Sequence, residues 1–127
     1  MTSVRPFRLT LLLGLCLTPV TFARADDKTA PVPVSFIKDV APILVRNCIA
    51  CHNTKKSESK YVMTTFAQLA KGGQQGDGIT LEPGDPDASY LVELIRPDGT
   101  PRMPFKLDPL PSAQIALIER WVKEGGV

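Results

Sequence analysis

The chain has 127 residues, 43% of them hydrophobic and 22% charged, with 15 basic side chains against 13 acidic ones, 12 prolines, three cysteines and a single histidine. This length bounds it to one small domain, the hydrophobic share excludes a disordered chain, and the near-balance of charge excludes a nucleic-acid binder that acts through its field alone. One histidine also excludes a zinc cluster built on several imidazoles.

Residues 1–25 read as a secretory leader. Arg5 and Arg8 precede the apolar run from Leu9 to Leu17, and Ala23-Arg24-Ala25 offers a small-x-small cleavage site before Asp26. Pro19 and Thr21 interrupt the run short of the roughly 18 apolar residues expected of a spanning helix, so no transmembrane anchor is expected after cleavage. Leu15, ahead of Cys16, is too bulky for a lipid-attachment signal. Loss of Arg5, Arg8 and Arg24 leaves 12 basic against 13 acidic side chains, a net charge of −1 on residues 26–127. The apparent basicity belongs to the export signal.

Residues 26–33 are expected to be a flexible lead-in, and 34–127 the folded domain. Phe36, Ile37, Val40, Ile43, Leu44 and Cys48 follow helical spacing, with Ser35 or Asp39 as N-cap. With Asp39 as cap, Pro42 falls harmlessly in the first turn; with Ser35, a kink is expected at Pro42. A short helix is predicted from Thr64 or Thr65 through Phe66, Leu69 and Ala70, ended by Gly72-Gly73, before a glycine-rich loop reaching Gly84. Asp85 and Pro86 are expected to open a helix through Tyr90, Leu91, Leu94 and Ile95 that stops at Pro97. The prolines at 97, 101, 104, 109 and 111 then exclude both helix and central strand. The last predicted helix is capped by Ser112, presents Ile115, Ile118, Trp121 and Val122 on one face, pairs Glu119 with Lys123, and ends at Gly125. No alternating strand pattern and no internal repeat occur. Short helices joined by long loops leave the centre in need of something other than side chains.

Cys48-Ile49-Ala50-Cys51-His52 is C-x-x-C-H, the attachment signature of c-type haem. Positions i, i+3 and i+4 share one helix face, so two thiols can form thioethers with the haem vinyl groups while the adjacent imidazole reaches the iron. Three other readings compete. Structural zinc wants four ligands where only two thiolates and one imidazole are at hand; a thiol-disulfide oxidoreductase wants a strand before its C-x-x-C; a plain disulfide across so short a loop constrains little. Within the domain the sixth iron ligand has no second histidine to draw on, which leaves two methionines. Met103, in Pro101-Arg102-Met103-Pro104-Phe105, sits on a stiff loop able to present its thioether across from His52. Met63 lies eleven residues past His52 beside Phe66 and Leu69 and reads as core. A thioether favours ferrous iron, and a six-coordinate iron has no vacancy for substrate; the pair describes an electron carrier rather than an enzyme. The apoprotein is expected to be largely unfolded.

From Val34 to Val127 the sequence resembles the small planctomycete-type cytochrome c domains, a branch of the class I c-type cytochromes. The matching segments are Asp39-Val40-Ala41-Pro42-Ile43-Leu44 before C-x-x-C-H, Lys71-Gly72-Gly73, Glu82-Pro83-Gly84-Asp85-Pro86, Arg102-Met103-Pro104, and Ile118 to Gly125. The resemblance implies an all-α cytochrome c-like fold of short helices and long loops wrapped around one covalently attached haem c. It further implies crosswise packing of the first and last helices, Cys48 and Cys51 as anchors, His52 as proximal ligand and Met103 as distal ligand. Single-electron transfer between separate redox protein partners in the periplasm follows, with no nucleic acid involved. Phe105 stands where the family tends to have a second proline. The rival functions are an exported C-x-x-C thiol-disulfide oxidoreductase without haem, and the haem subunit of a larger periplasmic dehydrogenase complex. Trp121 either donates its indole N–H near a haem propionate or fills the contact between terminal helices, the latter favoured. Lys55, Lys56 and Lys60 read as a solvated loop, with docking of an acidic redox partner as the alternative.

Overall fold

The structure is a computed structural model that describes residues 31–74 and 80–127. The leader assigned to 1–25, most of the lead-in and the centre of the glycine-rich loop lie outside the described residues. Of the two candidate caps Ser35 is the one used: its Oγ accepts from the Lys38 N–H at 3.3 Å, while Asp39, inside the opening turn, accepts from the Ser35 N–H through Oδ2 at 2.8 Å. The opening turn, Phe36–Val40, is π-helical, with the Ala41 N–H reaching back to the Phe36 carbonyl; α1, Ala41–Asn47, follows directly. This wide turn resolves the conflict at Pro42. It has no N–H to offer an i−4 carbonyl, and the added residue per turn places it in the first turn of α1, where none is needed.

Helix α2, Phe66–Lys71, begins as expected, with Thr65 Oγ1 accepting from the Gln68 N–H at 3.2 Å. Helix α3, Tyr90–Ile95, starts later than Asp85-Pro86 predicts. Asp85 Oδ1 instead accepts from the Asp87 and Ala88 N–H groups, closing a separate turn. Fully buried Ser89 then donates its hydroxyl to the Asp85 carbonyl at 2.8 Å and accepts from the Glu82 N–H at 2.8 Å, fixing the chain outside the helix up to that point.

Helix α4, Ser112–Lys123, buries Ile115, Ile118, Trp121 and Val122. Its C-terminus is a two-bond glycine cap: the Gly125 N–H donates to the Val122 carbonyl and the Gly126 N–H to the Trp121 carbonyl, at 2.9 and 3.0 Å. Both glycines have positive φ, +112° and +63°, and the cap geometry requires it of Gly125. Glu119 does not pair with Lys123; it accepts from Arg96 Nε at 2.8 Å and so joins α4 to the end of α3, while Arg120 takes the i,i+4 partner, Glu124, at 2.7 Å.

The core joins these helices. Phe36 lies 5.5 Å from Trp121 and 5.2 Å from Phe66 between ring centroids, so the opening turn, α2 and α4 meet in one aromatic cluster. Trp121 is 1% exposed and its indole N–H donates to the Val127 main-chain oxygen at 2.8 Å, in keeping with the core reading. No strand occurs among the described residues, and the fold is all-α. Ile118, 1% exposed, sits at the centre of the α4 face. Ile118→Ala is expected to cost about 2–5 kcal/mol, read as a lower denaturant midpoint of the loaded protein; an unchanged midpoint would remove it from the core.

The two ends of the fold are tied at the surface. Glu124 Oε2 accepts from the Val34 N–H at 2.6 Å, and Arg120 Nη2 donates to the Val32 carbonyl at 2.7 Å. The Val34 N–H, and after it Arg120, hold the Glu124 carboxyl below its ordinary pKa. A carboxyl depressed in the folded state adds stability above its unfolded pKa, about 4.3, and loses it as pH falls through the folded value. Glu124→Gln is therefore expected to melt with a shallower dependence on pH below about 4.3 than the parent chain; parallel melting curves would contradict this.

Candidate functional site

The cysteine turn grows out of α1. The Cys48 and Ile49 N–H groups both donate to the Leu44 carbonyl, at 2.8 and 3.1 Å, and the helix ends there. The Cys48 carbonyl then accepts from the N–H groups of Cys51 and His52, at 3.1 and 3.0 Å. A single tight turn, rather than a continued helix, thus gathers the side chains at i, i+3 and i+4. Asn53 closes the turn: its Nδ2 donates to the Ile49 carbonyl at 2.7 Å, and its Oδ1 accepts from the Lys55 and Lys56 N–H groups.

His52 is oriented from the segment that follows. Its Nδ1 lies 3.2 Å from the Tyr61 carbonyl, and the Met63 N–H donates to the His52 carbonyl at 2.9 Å. A carbonyl only accepts, so Nδ1 carries the proton of that bond and Nε2 keeps its lone pair for a metal. Tyr61 is itself buried; its hydroxyl donates to the Leu69 carbonyl at 3.0 Å, and its ring stands edge-on to the imidazole, 5.6 Å between centroids. Burial, and secondarily the nearby Cys48, push the phenol well above its ordinary value and keep it a donor.

Cys48, Cys51, His52 and Met103 line a single cavity of about 690 Å³. This falls within the range of about 300–1,000 Å³ for cofactor and ligand sites. One wall is the cysteine turn with Tyr61 and Met63, a second is the α3 face of Leu91, Leu94 and Ile95, and the third is the loop from Pro101 to Leu107. Met103 is held to the second wall, its N–H donating to the Leu94 carbonyl at 2.6 Å. Phe105 and Leu107 stand at the rim, 58% and 63% exposed.

Both thiols are free, and burial, with a smaller push from Cys51, raises Cys48 to about 11. A thiol so disposed is a poor thiolate nucleophile, which weighs against disulfide exchange. Lys56 Nζ lies 3.6 Å from Cys51 Sγ and 3.7 Å from Glu58. Among the described residues no three His, Cys, Asp or Glu side chains are grouped to hold a metal ion. Sequence reasoning missed the parts of Tyr61 and α3. Leu91, Leu94 and Ile95 carry a helical stripe that signals burial without saying against what, and nothing local marks Tyr61 as the partner of His52.

Residues 48–105, from the first of the paired cysteines to the rim phenylalanine, match the family model described as Planctomycete cytochrome C. This segment is similar to that family. The matched span contains Cys48, Cys51, His52 and Met103 and the whole of α2 and α3. No curated protein and no solved structure matches the chain. Similarity to a cytochrome c family suggests an electron carrier with covalently bound haem. The cavity suits such a group on three counts: two adjacent thiols in one turn, an imidazole whose Nε2 is free to ligate, and walls that are chiefly apolar. No helix among the described residues is long and apolar enough to cross a membrane.

Proposed function

We propose that this protein is an exported, monohaem c-type cytochrome that carries single electrons between separate redox proteins in the periplasm. The observation that carries the reading is the convergence of Cys48, Cys51, His52 and Met103 on one apolar cavity of about 690 Å³. Cys48 and Cys51 would hold the group covalently, each S–H adding across a vinyl C=C, so that sulfur takes one carbon and hydrogen the other. When bound, haem supplies reversible one-electron chemistry at iron.

The chain's own residues do the rest. His52 presents Nε2 while its Nδ1–H bond to the Tyr61 carbonyl fixes the ring and makes it a better donor. Between the methionines, backbone placement favours Met103 as the second ligand. The Met63 N–H is bonded to the His52 carbonyl, so Met63 starts beside the proximal ligand, whereas Met103 starts from the loop tied to α3. A thioether there favours the ferrous state. The apolar walls exclude water and lower the reorganisation that accompanies a change of charge. Lys55, Lys56 and Lys60 are exposed, and Lys56 alone of the three lines the cavity, beside Cys51 and Glu58.

The test is expression with a cytochrome c maturation system, followed by haem staining on a denaturing gel and visible spectroscopy. A stained band with a low-spin, six-coordinate spectrum is expected; an exported, matured chain without stain would end the proposal.

A further inference from the structure

Two glycines away from the cysteine turn abut the groups that hold the ligands. Neither Gly73 nor Gly99 is among the glycines with positive φ, so an ordinary residue suits their backbone and only space is at issue. A Cβ on Gly73 would stand 2.7 Å from Tyr61 Cβ and 2.8 Å from the Ser59 carbonyl oxygen. The Gln74 N–H, donating to that same Ser59 carbonyl at 2.7 Å, presses Gly73 against the segment whose Tyr61 carbonyl receives His52 Nδ1–H. On the other side, a Cβ on Gly99 would stand 2.6 Å from the Glu93 carbonyl oxygen and 2.7 Å from that of Leu94. The Leu94 oxygen is the acceptor for the Met103 N–H. In both places the obstructed atoms belong to the main chain or to a Cβ fixed to it, which cannot swing aside as a flexible side chain does.

We propose that Gly73 and Gly99 are positioning residues for the two axial ligands, Gly73 for His52 and Gly99 for Met103, an inference that rests on the haem reading above. A methyl group at 73 displaces Tyr61 and lengthens the bond to Nδ1. The imidazole then donates less to iron, ferric iron loses more than ferrous, and the potential rises. A methyl group at 99 displaces the Leu94 carbonyl, and with it the anchor of the Met103 loop.

The experiment compares matured wild type with Gly73→Ala, Gly99→Ala and Gly84→Ala, the last a site where an added Cβ meets nothing within 4 Å. Gly73→Ala is expected to shift the His52 ring proton resonances and move the ferrous-to-ferric ratio at fixed potential about tenfold toward ferrous, or about 59 mV, while keeping the far-red band of methionine-ligated ferric haem. Gly99→Ala is expected to lose most of that band yet, as the ferrous carbon monoxide complex, in which parent and variant carry the same ligand opposite His52, to keep the parent's His52 resonances. Gly84→Ala is expected to change thermal stability alone. Because the thioethers keep haem on the chain even when folding fails, every variant yields a spectrum. Loss of both ligand signatures together, retention of both, or the same change in Gly84→Ala overturns the proposal. A wild type without covalent haem instead defeats the haem reading itself.

Discussion

Exchange of Cys48 and Cys51 together for alanine is expected to give a chain without covalent haem and without a cooperative thermal transition. The reason is the size of the central cavity against the size of the core. Without haem, the apolar faces lining the 690 Å³ site stand open to water instead of buried against the cofactor. A whole domain of this length is stable by about 5–15 kcal/mol. The walls include Leu91, Ile95, Tyr61 and Met63, all core residues, so the cavity is not a peripheral dent that the fold can leave empty. Calorimetry and haem staining check the result together. A double variant that melts cooperatively within a few degrees of the loaded protein would show that α1, α2, α3 and α4 suffice alone.

Met103→Ala is expected to abolish the far-red band and lower the reduction potential by at least a tenth of the ~0.8 V over which axial ligands set haem potentials. The thioether stabilises ferrous iron, and its loss leaves water or nothing in its place. The ferrous variant is then expected to bind carbon monoxide at once, which the six-coordinate parent does only slowly. Met63→Ala is the control. Met63 is a buried core residue, so its truncation is expected to cost about 2–5 kcal/mol of stability and leave the band in place. Survival of the band in Met103→Ala, with its loss in Met63→Ala, would exchange the two assignments.

Much of this arrangement is legible in the sequence because it is local. C-x-x-C-H places its three functional side chains within one turn, and the α4 pattern of Ile115, Ile118, Trp121 and Val122 repeats at helical spacing; both survive in the structure. The Thr65 cap and the end of α2 are likewise set by neighbours three or four residues apart. What the sequence hides depends on distant partners. Asp85 and Pro86 carry a good helix-start signal, yet Ser89 is claimed by Glu82 and Asp85 and the helix waits until Tyr90. Glu119 has Lys123 one turn away and takes Arg96 from another helix instead. The Tyr61 carbonyl reaches His52 through main-chain geometry, which no residue type announces. Ser35 and Asp39 compete as caps in the sequence; in the structure Ser35 caps, Asp39 bonds back to it, and a π-helical turn takes the place of the kink expected at Pro42.

The bond between Glu124 and the Val34 N–H carries a consequence for how such a domain joins others. With the segment at Val34 in direct contact with the end of α4, a module attached ahead of Val34 and another attached behind Glu124 both emerge from the same patch of surface. Neither linker has to cross the molecule to do so. A joined pair of ends, with new ends cut elsewhere, would preserve the fold for the same reason.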